Sequence, residues 1–209
     1  MLNLRGQLPY LENGQQYILR VKIPIVTEAP LQAVTGVGDA TLYFYAETNV
    51  GEGRWSYGAT ARFPTAGNSS LGSGKYSIGP AAGYDIVRGD WTLGIGTTNY
   101  FSVVGPSWRS PVAQTKLDPS ATLSLPRGWA VGTSSMSFTY NWYKGMWINV
   151  PLGLRIQKAL GTSSNLPFVQ FLAPLVGSAE FEKNLVAAPG TPAWTIRVML
   201  RWNLPRRKS

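Results

Sequence analysis

Two pairs of carboxylates are the side chains in this chain whose spacing could support acid–base chemistry. Asp85 and Asp90 lie close together in the sequence, and Glu180 and Glu182 have a single residue between them. Two carboxylates that share a site can act as general acid and general base. Each pair also has a structural interpretation, which we prefer: Asp90 lies in a turn, and Glu180 neutralises an arginine inside the fold.

Other catalytic residue types are absent or badly spaced. The chain has 0 cysteines and 0 histidines, which removes thiolate chemistry, the usual general base and the commonest metal ligand. Membrane-barrel enzymes of the phospholipase, protease and deacylase types rely on a histidine. We therefore expect no enzymatic activity, no cofactor and no metal site.

Two short motifs in residues 68–76 are set aside. The stretch LGSGKY resembles a phosphate-binding loop, but that motif needs Gly where this chain has Ser69, and Ser or Thr where it has Tyr76. Asn68-Ser69-Ser70 fits a glycosylation triplet, yet such triplets are common by chance. Neither motif predicts a function.

The positive charge is spread along the chain. There are 19 lysines and arginines against 10 aspartates and glutamates, a formal net charge of +9. A nucleic-acid-binding surface would collect the basic residues into a patch with aromatic residues between them. Here the only basic run is PRRKS, residues 205–209, which we interpret as a solvated tail. Nucleic acid is not an expected partner.

Composition favours an all-β domain. The chain is 44% hydrophobic and 14% charged, with 23 glycines, 15 prolines, 8 tryptophans and 10 tyrosines, a composition that suits many strands joined by turns. Its length fits one domain, predicted over residues 1–204. No apolar stretch is long enough for a transmembrane helix, and no secretion-signal pattern follows Met1. We expect the sequence to begin inside a longer one.

The stretch AWTIRVMLRWNL, residues 193–204, shows how the strands alternate. Trp194, Val198 and Leu200 fall on one parity, and Arg197 and Arg201 on the other. Successive side chains of a strand point to opposite faces, so this strand has an apolar face and a polar face. Residues 15–26, 54–63, 75–86 and 147–156 alternate in the same way. Charges within the strands fall mostly on one parity, whereas the buried face of a soluble sandwich would exclude them.

Aromatic residues mark the strand ends. Five of them open an apolar alternation after short turns and recur about every 36 to 39 residues, the length of a long hairpin with one short and one longer connection. Large aromatics near both strand ends predict two girdles of the kind that lipid interfaces select. The predicted girdle residues are Tyr17, Trp55, Trp91, Trp129 and Trp202 at the short-turn end, and Tyr100, Trp142, Trp147 and Trp194 toward the longer loops.

These patterns predict an antiparallel up-and-down transmembrane β-barrel. We count eleven strands, near residues 2–9, 15–26, 38–47, 54–64, 75–87, 90–104, 113–125, 128–142, 145–159, 166–181 and 193–204. They exceed the usual length in globular sheets and match a tilted membrane crossing. Bacterial barrels have even strand numbers, so one N-terminal strand is expected to be missing from about twelve. A parity change between Val131 and Met136 predicts a bulge. A soluble β-sandwich binding module is the remaining alternative fold.

Several segments resemble an outer-membrane β-barrel family linked to transport in the phenol meta-degradation pathway. They are residues 64–86, PTAGNSSLGSGKYSIGPAAGYDI, with GDWTLGIGTTNYFSVVG, LPRGWAVGTSSMSFTYNW, MWINVPLGLRIQKAL and TIRVMLRWNLP. LGSGK, GPAAG and VPLGL are the most specific parts. The resemblance implies a barrel of about twelve strands in a Gram-negative outer membrane, with lipid bilayer and lipopolysaccharide as surroundings and small, aromatic or anionic solutes as cargo. It implies no catalytic residues.

Two functions stay open at this stage. The first is a passive channel, and the second is a structural or ligand-holding barrel plugged by its own side chains, because about twelve strands leave a modest lumen. The predicted lumen-lining residues are Arg20, Lys22, Arg54, Arg62, Lys75, Asp85, Lys116, Asp118, Arg155, Glu180, Arg197 and Arg201, with Asp39 and Glu47 as further balancing acids.

Overall fold

The fold is a single antiparallel sheet. A computed structural model describes residues 2–12, 15–26, 35–160, 175–187 and 192–202. Within these ranges thirteen strands form the sheet, and one three-residue 3-10 turn, Pro126–Gly128, is present. The strands are β1 (Leu2–Glu12), β2 (Gln15–Val26), β3 (Gly36–Val37), β4 (Ala40–Val50), β5 (Gly53–Phe63), β6 (Tyr76–Arg88), β7 (Trp91–Val104), β8 (Ala113–Leu125), β9 (Trp129–Thr133), β10 (Phe138–Asn141), β11 (Met146–Ala159), β12 (Leu175–Ala187) and β13 (Trp194–Trp202).

The strand order follows the sequence order. The sheet runs β1-β2-β4-β5-β6-β7-β8-β10-β11-β12-β13, with the two-residue β3 on β2, and β9 pairing with both β8 and β11. Each strand therefore lies next to the one before it, as in an up-and-down meander. The predicted all-β antiparallel class is confirmed. β1 and β13 stand at the two ends of this order.

Two predicted strands differ most from the structure. Residues 128–142 were predicted as one strand, but they form β9 and β10 with a break at residues 134–137, where the sequence predicted a bulge. This break raises the predicted count of eleven to twelve strands in the described ranges, and the two-residue β3 makes thirteen. Of the predicted strand 166–181, residues 166–174 lie outside the described ranges, and β12 continues to Ala187. Residues 185–187, which were assigned to a loop, belong to β12, and the register with β11 shifts at Leu185.

The short turns use residues that accept a left-handed backbone. Gly51 and Gly89 have positive φ angles of 60° and 56° in the turns after β4 and β6. A side chain at such a φ costs about 1 kcal/mol, whereas glycine adopts it freely. At the 3-10 turn Arg127 takes the same conformation, with φ 59°. These residues let consecutive long strands reverse within two or three positions.

The apolar parity of the strands is exposed, not packed. In β13, Trp194, Ile196, Val198 and Leu200 are all exposed, and Val198 is 82% exposed, while Arg197 is half-buried between them. The same row continues on other strands with Tyr57, Ile78, Leu93, Ile95, Leu154, Ile156 and Phe181. Small and polar residues such as Thr60, Ser77 and Thr98 are buried on the opposite parity. One parity of these strands thus buries small and polar residues, and the other exposes large apolar residues.

Contacts divide the chain into two compact units. The first unit comprises Met1–Asp85, Ile95–Leu117 and Thr139–Ile148, and the second comprises Ile86–Gly94, Asp118–Phe138 and Asn149–Ser209. The candidate sites described next lie each within one unit. A helix with the length and hydropathy to cross a membrane is absent from the described ranges.

Candidate functional site

A pair of tyrosines forms the floor of a pocket in the first unit. Tyr43 on β4 and Tyr100 on β7 share a hydrogen bond between their hydroxyl oxygens, which are 3.1 Å apart. Tyr100 is 1% exposed. The predicted place of Tyr100 in the exposed aromatic girdle is therefore wrong, because Tyr100 is buried on the same parity as Thr98, where its hydroxyl has a partner.

Two cations flank the ring of Tyr100. The guanidinium carbon of Arg62 lies 3.8 Å from the ring centroid, and the Nζ of Lys116 lies 5.7 Å from it. Both distances are within the range of cation–π attraction, and the shorter one corresponds to a stacked guanidinium. Arg62 and Lys116 were both predicted to face inward from different strands. Tyr100 is the residue that brings them together.

The pocket above this floor is cationic. It has a volume of about 390 Å³, and its lining includes Lys22 of β2, Arg62, Lys116 and the carboxylate of Asp39. Strand register explains the grouping, because Lys22 lies opposite Thr41 and Thr41 opposite Arg62. Side chains directly opposite on neighbouring strands share one face. Three cations and one carboxylate are thus among the side chains that line this pocket.

The loop between β5 and β6 closes one side of the pocket. Asp39 accepts hydrogen bonds from the backbone N–H of Ser73 (2.7 Å), from its hydroxyl (2.8 Å) and from the N–H of Ala66 (3.4 Å). Gly72 allows this approach, since a Cβ there would lie 2.3 Å from Asp39 Oδ1. Leu71, Gly72 and Ser73 consequently line the pocket. The stretch LGSGK is thus part of a loop that hydrogen bonds to the carboxylate of Asp39 hold against the polar face of the sheet.

A second polar group in the first unit is more exposed. Arg54 of β5 lies 3.5 Å from Glu47 and 3.5 Å from Asp85, and its side chain is half exposed. Exposed ion pairs contribute about 0–1 kcal/mol each. The side chain of Arg54 thus lies within ion-pair distance of two acids, Glu47 on β4 and Asp85 on β6.

A buried ion-pair network lies in the second unit. Arg197 of β13 donates from Nη1 and Nη2 to both carboxylate oxygens of Glu182 (3.0 and 3.1 Å) and from Nη1 to Glu180 (3.3 Å). The side chains of Glu180 and Glu182 are 0% and 6% exposed. Arg155 of β11 lies 3.7 Å from Glu180 on the other side. Glu180 faces Arg155 and Arg197 directly in the strand register.

The break between β9 and β10 completes this network. Ser135 donates its hydroxyl to Glu180 (2.9 Å) and its backbone N–H to the same carboxylate (3.4 Å). The hydroxyl of Ser134 donates to Glu182 (3.1 Å), and Arg155 donates to Thr122 (3.2 Å). The expected contact of Glu180 with an arginine is present, and the two glutamates are held as acceptors. Glu182 was considered only as half of an acid–base pair, and its bidentate contact was missed.

The remaining predicted inward residues have separate environments. The Nζ of Lys75 donates to the carbonyl of Gly105 (3.4 Å), and the guanidinium of Arg20 lies 5.9 Å from the ring of Tyr45. Asp118 is half-buried on β8. The side chain of Arg201 lies outside the described residues. Within the described ranges no three potential metal ligands come together.

Most of the predicted girdle residues have exposed side chains. Trp55, Trp91 and Trp129 are exposed next to the short turns, and Tyr17 stacks on Phe44 at 5.8 Å. At the other strand ends Trp142 and Trp147 are exposed and contact the ring of Tyr140 at 5.0 and 5.3 Å, and Trp194 is exposed. The side chain of Trp202 lies outside the described residues.

Comparison with known proteins adds no relative. No family model, no curated protein and no solved structure matches this chain.

Proposed function

We propose that this chain is an outer-membrane β-barrel that acts as a passive channel for small molecules. The observation that carries the proposal is the distribution of residues over the two strand parities. Large apolar side chains are exposed along one parity, while charged residues on the other form ion pairs, as Arg197 does, or line a pocket, as Arg62 does. Lipid is the solvent that favours this arrangement, because water penalises each square ångström of exposed apolar surface by about 25 cal/mol.

The aromatic residues support the same environment. Exposed tryptophans lie near both strand ends, with aliphatic residues such as Leu93, Leu154 and Val198 between them. Transmembrane barrels have an apolar outer band between two aromatic girdles. A soluble monomer rarely exposes a continuous apolar patch of this extent. The expected location is therefore the outer membrane of a Gram-negative bacterium, in contact with lipid and lipopolysaccharide, and the resemblance to the phenol meta-degradation barrels belongs to the same proposal.

A plugged, ligand-holding barrel is the second candidate function. It is favoured by the loop at residues 64–75, which Asp39 holds over the inner face, and by the network around Glu180, which occupies inner-face space. Conductance separates the two functions. The refolded chain is inserted into planar lipid bilayers, and stepwise current increases support the channel, whereas an ion-tight membrane containing folded protein supports the plug.

Ion selectivity provides a first quantitative prediction. Fixed charges in a narrow, low-dielectric passage enrich the oppositely charged ion, and cationic residues outnumber acidic ones among the residues that the sequence predicts to line the lumen. We expect a modest preference for anions. The measurement is the reversal potential in a potassium chloride gradient, and a potential of the sign that indicates cation preference would contradict the expectation.

The second prediction concerns the loop held by Asp39. In Asp39→Ala, the three hydrogen bonds to Ser73 and Ala66 are lost, so the loop is expected to leave the inner face and the single-channel conductance to rise. Asp85→Ala removes the same charge from the same face but contacts Arg54, not the loop, and is the matched control. Equal conductance of wild type and Asp39→Ala would show that the loop does not restrict the passage.

A further inference from the structure

A second cavity in the first unit lies where β5, β6 and β7 meet their longer connections. It has a volume of about 640 Å³, shares no lining residue with the pocket at Tyr100, and is lined in part by Tyr76, Pro106, Trp108 and Arg109. We call it the Trp108 groove. Tyr76 is 46% exposed on the apolar parity of β6, whereas the next residue, Ser77, is buried. The groove therefore adjoins the exposed apolar face of the sheet.

A tight turn presents an aromatic side chain at this groove. The backbone N–H of Arg109 donates to the carbonyl of Pro106 (3.2 Å), so Trp108 stands within the turn, and its side chain is 82% exposed. The exposed Val103 and Val104 end β7 just before it. An aromatic side chain this exposed, next to an apolar surface, is typical of residues that contact a ligand ring or a lipid headgroup.

The guanidinium of Arg109 is held against the loop at residues 64–75. Its Nη2 donates to the carbonyl of Ser69 (3.0 Å), and Gly74 leaves room for it, because a Cβ there would lie 2.8 Å from Arg109 Nε. A guanidinium has five N–H donors, and within the described part of the chain Arg109 forms no ion pair. A positive charge is thus fixed in place with donors left for an anionic group.

We propose that the Trp108 groove binds the phosphorylated sugar headgroup of a glycolipid, the lipopolysaccharide of the outer leaflet. Guanidinium groups bind phosphate through paired, charge-assisted hydrogen bonds. The flat indole of Trp108 covers a sugar ring, and the acyl chains continue along the exposed Tyr76 and Ile78 of β6. One ligand of this class matches the cation, the aromatic ring and the apolar surface together.

The position of the groove favours lipopolysaccharide over other phosphorylated ligands. The groove lies at the connections after β5 and β7, residues 64–75 and 105–112, which are longer than the turns after β4 and β6. In outer-membrane barrels the longer loops are extracellular, and lipopolysaccharide is the lipid on that side. The inference goes beyond the channel function and rests on the proposed outer-membrane location.

The test counts bound lipid by native mass spectrometry of the full refolded chain released from detergent micelles. The chain is titrated with lipid A that has both phosphates, with lipid A from which the phosphates have been removed, and with phosphatidylglycerol, which has a phosphate but no sugar. We expect the phosphorylated lipid A to bind at least about tenfold more tightly than the dephosphorylated form, since charged hydrogen bonds account for that ratio. Its advantage over phosphatidylglycerol should be at least about threefold, from the ring contact.

Two variants locate the site. Arg109→Gln is expected to weaken the binding of phosphorylated lipid A by about tenfold or more, and Trp108→Ala by about threefold or more. Because Trp108 is 82% exposed, its replacement leaves the fold intact and remains a test if Arg109→Gln folds poorly. Lys144→Gln is the matched control, since it removes an exposed cation from the turn between β10 and β11, outside the groove, and its affinity should equal that of wild type. Folding is checked by heat-modifiable gel mobility.

The outcomes separate this inference from the proposed function. Folded protein that conducts ions but binds phosphorylated lipid A no more tightly than the other two lipids overturns the glycolipid site and leaves the channel standing. Unchanged affinity in both groove variants, or an equal loss in Lys144→Gln, overturns its location. If the chain instead folds as a monomer in detergent-free buffer, the outer-membrane proposal is overturned. Calorimetric titration with a water-soluble glucosamine disaccharide bisphosphate then tests the groove by itself: binding that Arg109→Gln weakens supports a site for phosphorylated sugars, and no binding overturns it.

Discussion

Arg197→Leu is expected to destabilise the folded chain by about 3–5 kcal/mol, the cost of removing one partner from a buried ion pair. The reason is the burial of its two acceptors, because the side chains of Glu180 and Glu182 are 0% and 6% exposed. Arg155 remains near Glu180, but Glu182 keeps only the Ser134 hydroxyl among the contacts described above. Without Arg197, a negative charge would stay buried with too few donors.

The measurement is urea-induced unfolding in lipid vesicles, with the folded fraction read from heat-modifiable gel mobility. Arg54→Leu is the matched control: it removes an arginine from an exposed pair, so a loss of about 0–1 kcal/mol is expected. Arg197→Leu combined with Glu182→Gln should recover part of the stability, because the orphaned charge is removed as well. A loss for Arg197→Leu no larger than that for Arg54→Leu would contradict the buried network.

Val198→Arg is the direct test of the membrane proposal. Val198 is 82% exposed near the middle of β13. In a lipid bilayer, arginine at the midplane of a transmembrane barrel costs about 2–4 kcal/mol. In water, a substitution at so exposed a position changes stability by no more than about 0.5 kcal/mol. We expect the larger cost, measured in the same vesicle unfolding experiment.

Position along the strand provides the control for Val198→Arg. Ala193→Arg adds the same charge just before the start of β13, at an exposed residue. The penalty for a charge falls to about 0–1 kcal/mol near the membrane interface. The difference between the two variants should therefore exceed about 1 kcal/mol. Equal, small effects for both would indicate that this face of the sheet is in water.

Alternation along the sequence determined the class of the fold and the polarity of its two faces. A strand places side chains on opposite sides with a period of two, so the rows of Trp55 and Val198 and the opposing arginines could be assigned from the sequence. Strand bounds followed where the alternation was regular, as in β8, whose predicted range 113–125 is the observed one. The parity change after Val131 likewise predicted an irregularity, which the structure resolves as the break between β9 and β10.

Which inward residues meet was decided only by the tertiary structure. The parity of a residue predicts which face of the sheet its side chain is on, but not which side chains it contacts. Arg155, Glu180 and Arg197 form one row because strand register places them opposite each other. Tyr100 is a second example. From the sequence it is an aromatic residue near a strand end, which predicts a girdle position, and only the structure shows that it contacts Tyr43 and Arg62. The pocket at Tyr100 also depends on the loop at residues 64–75, which forms one side of the pocket by hydrogen bonding to Asp39. Strand register and the position of this loop depend on contacts between residues that are distant in sequence. The alternation of side chains within one strand carries no information about such contacts.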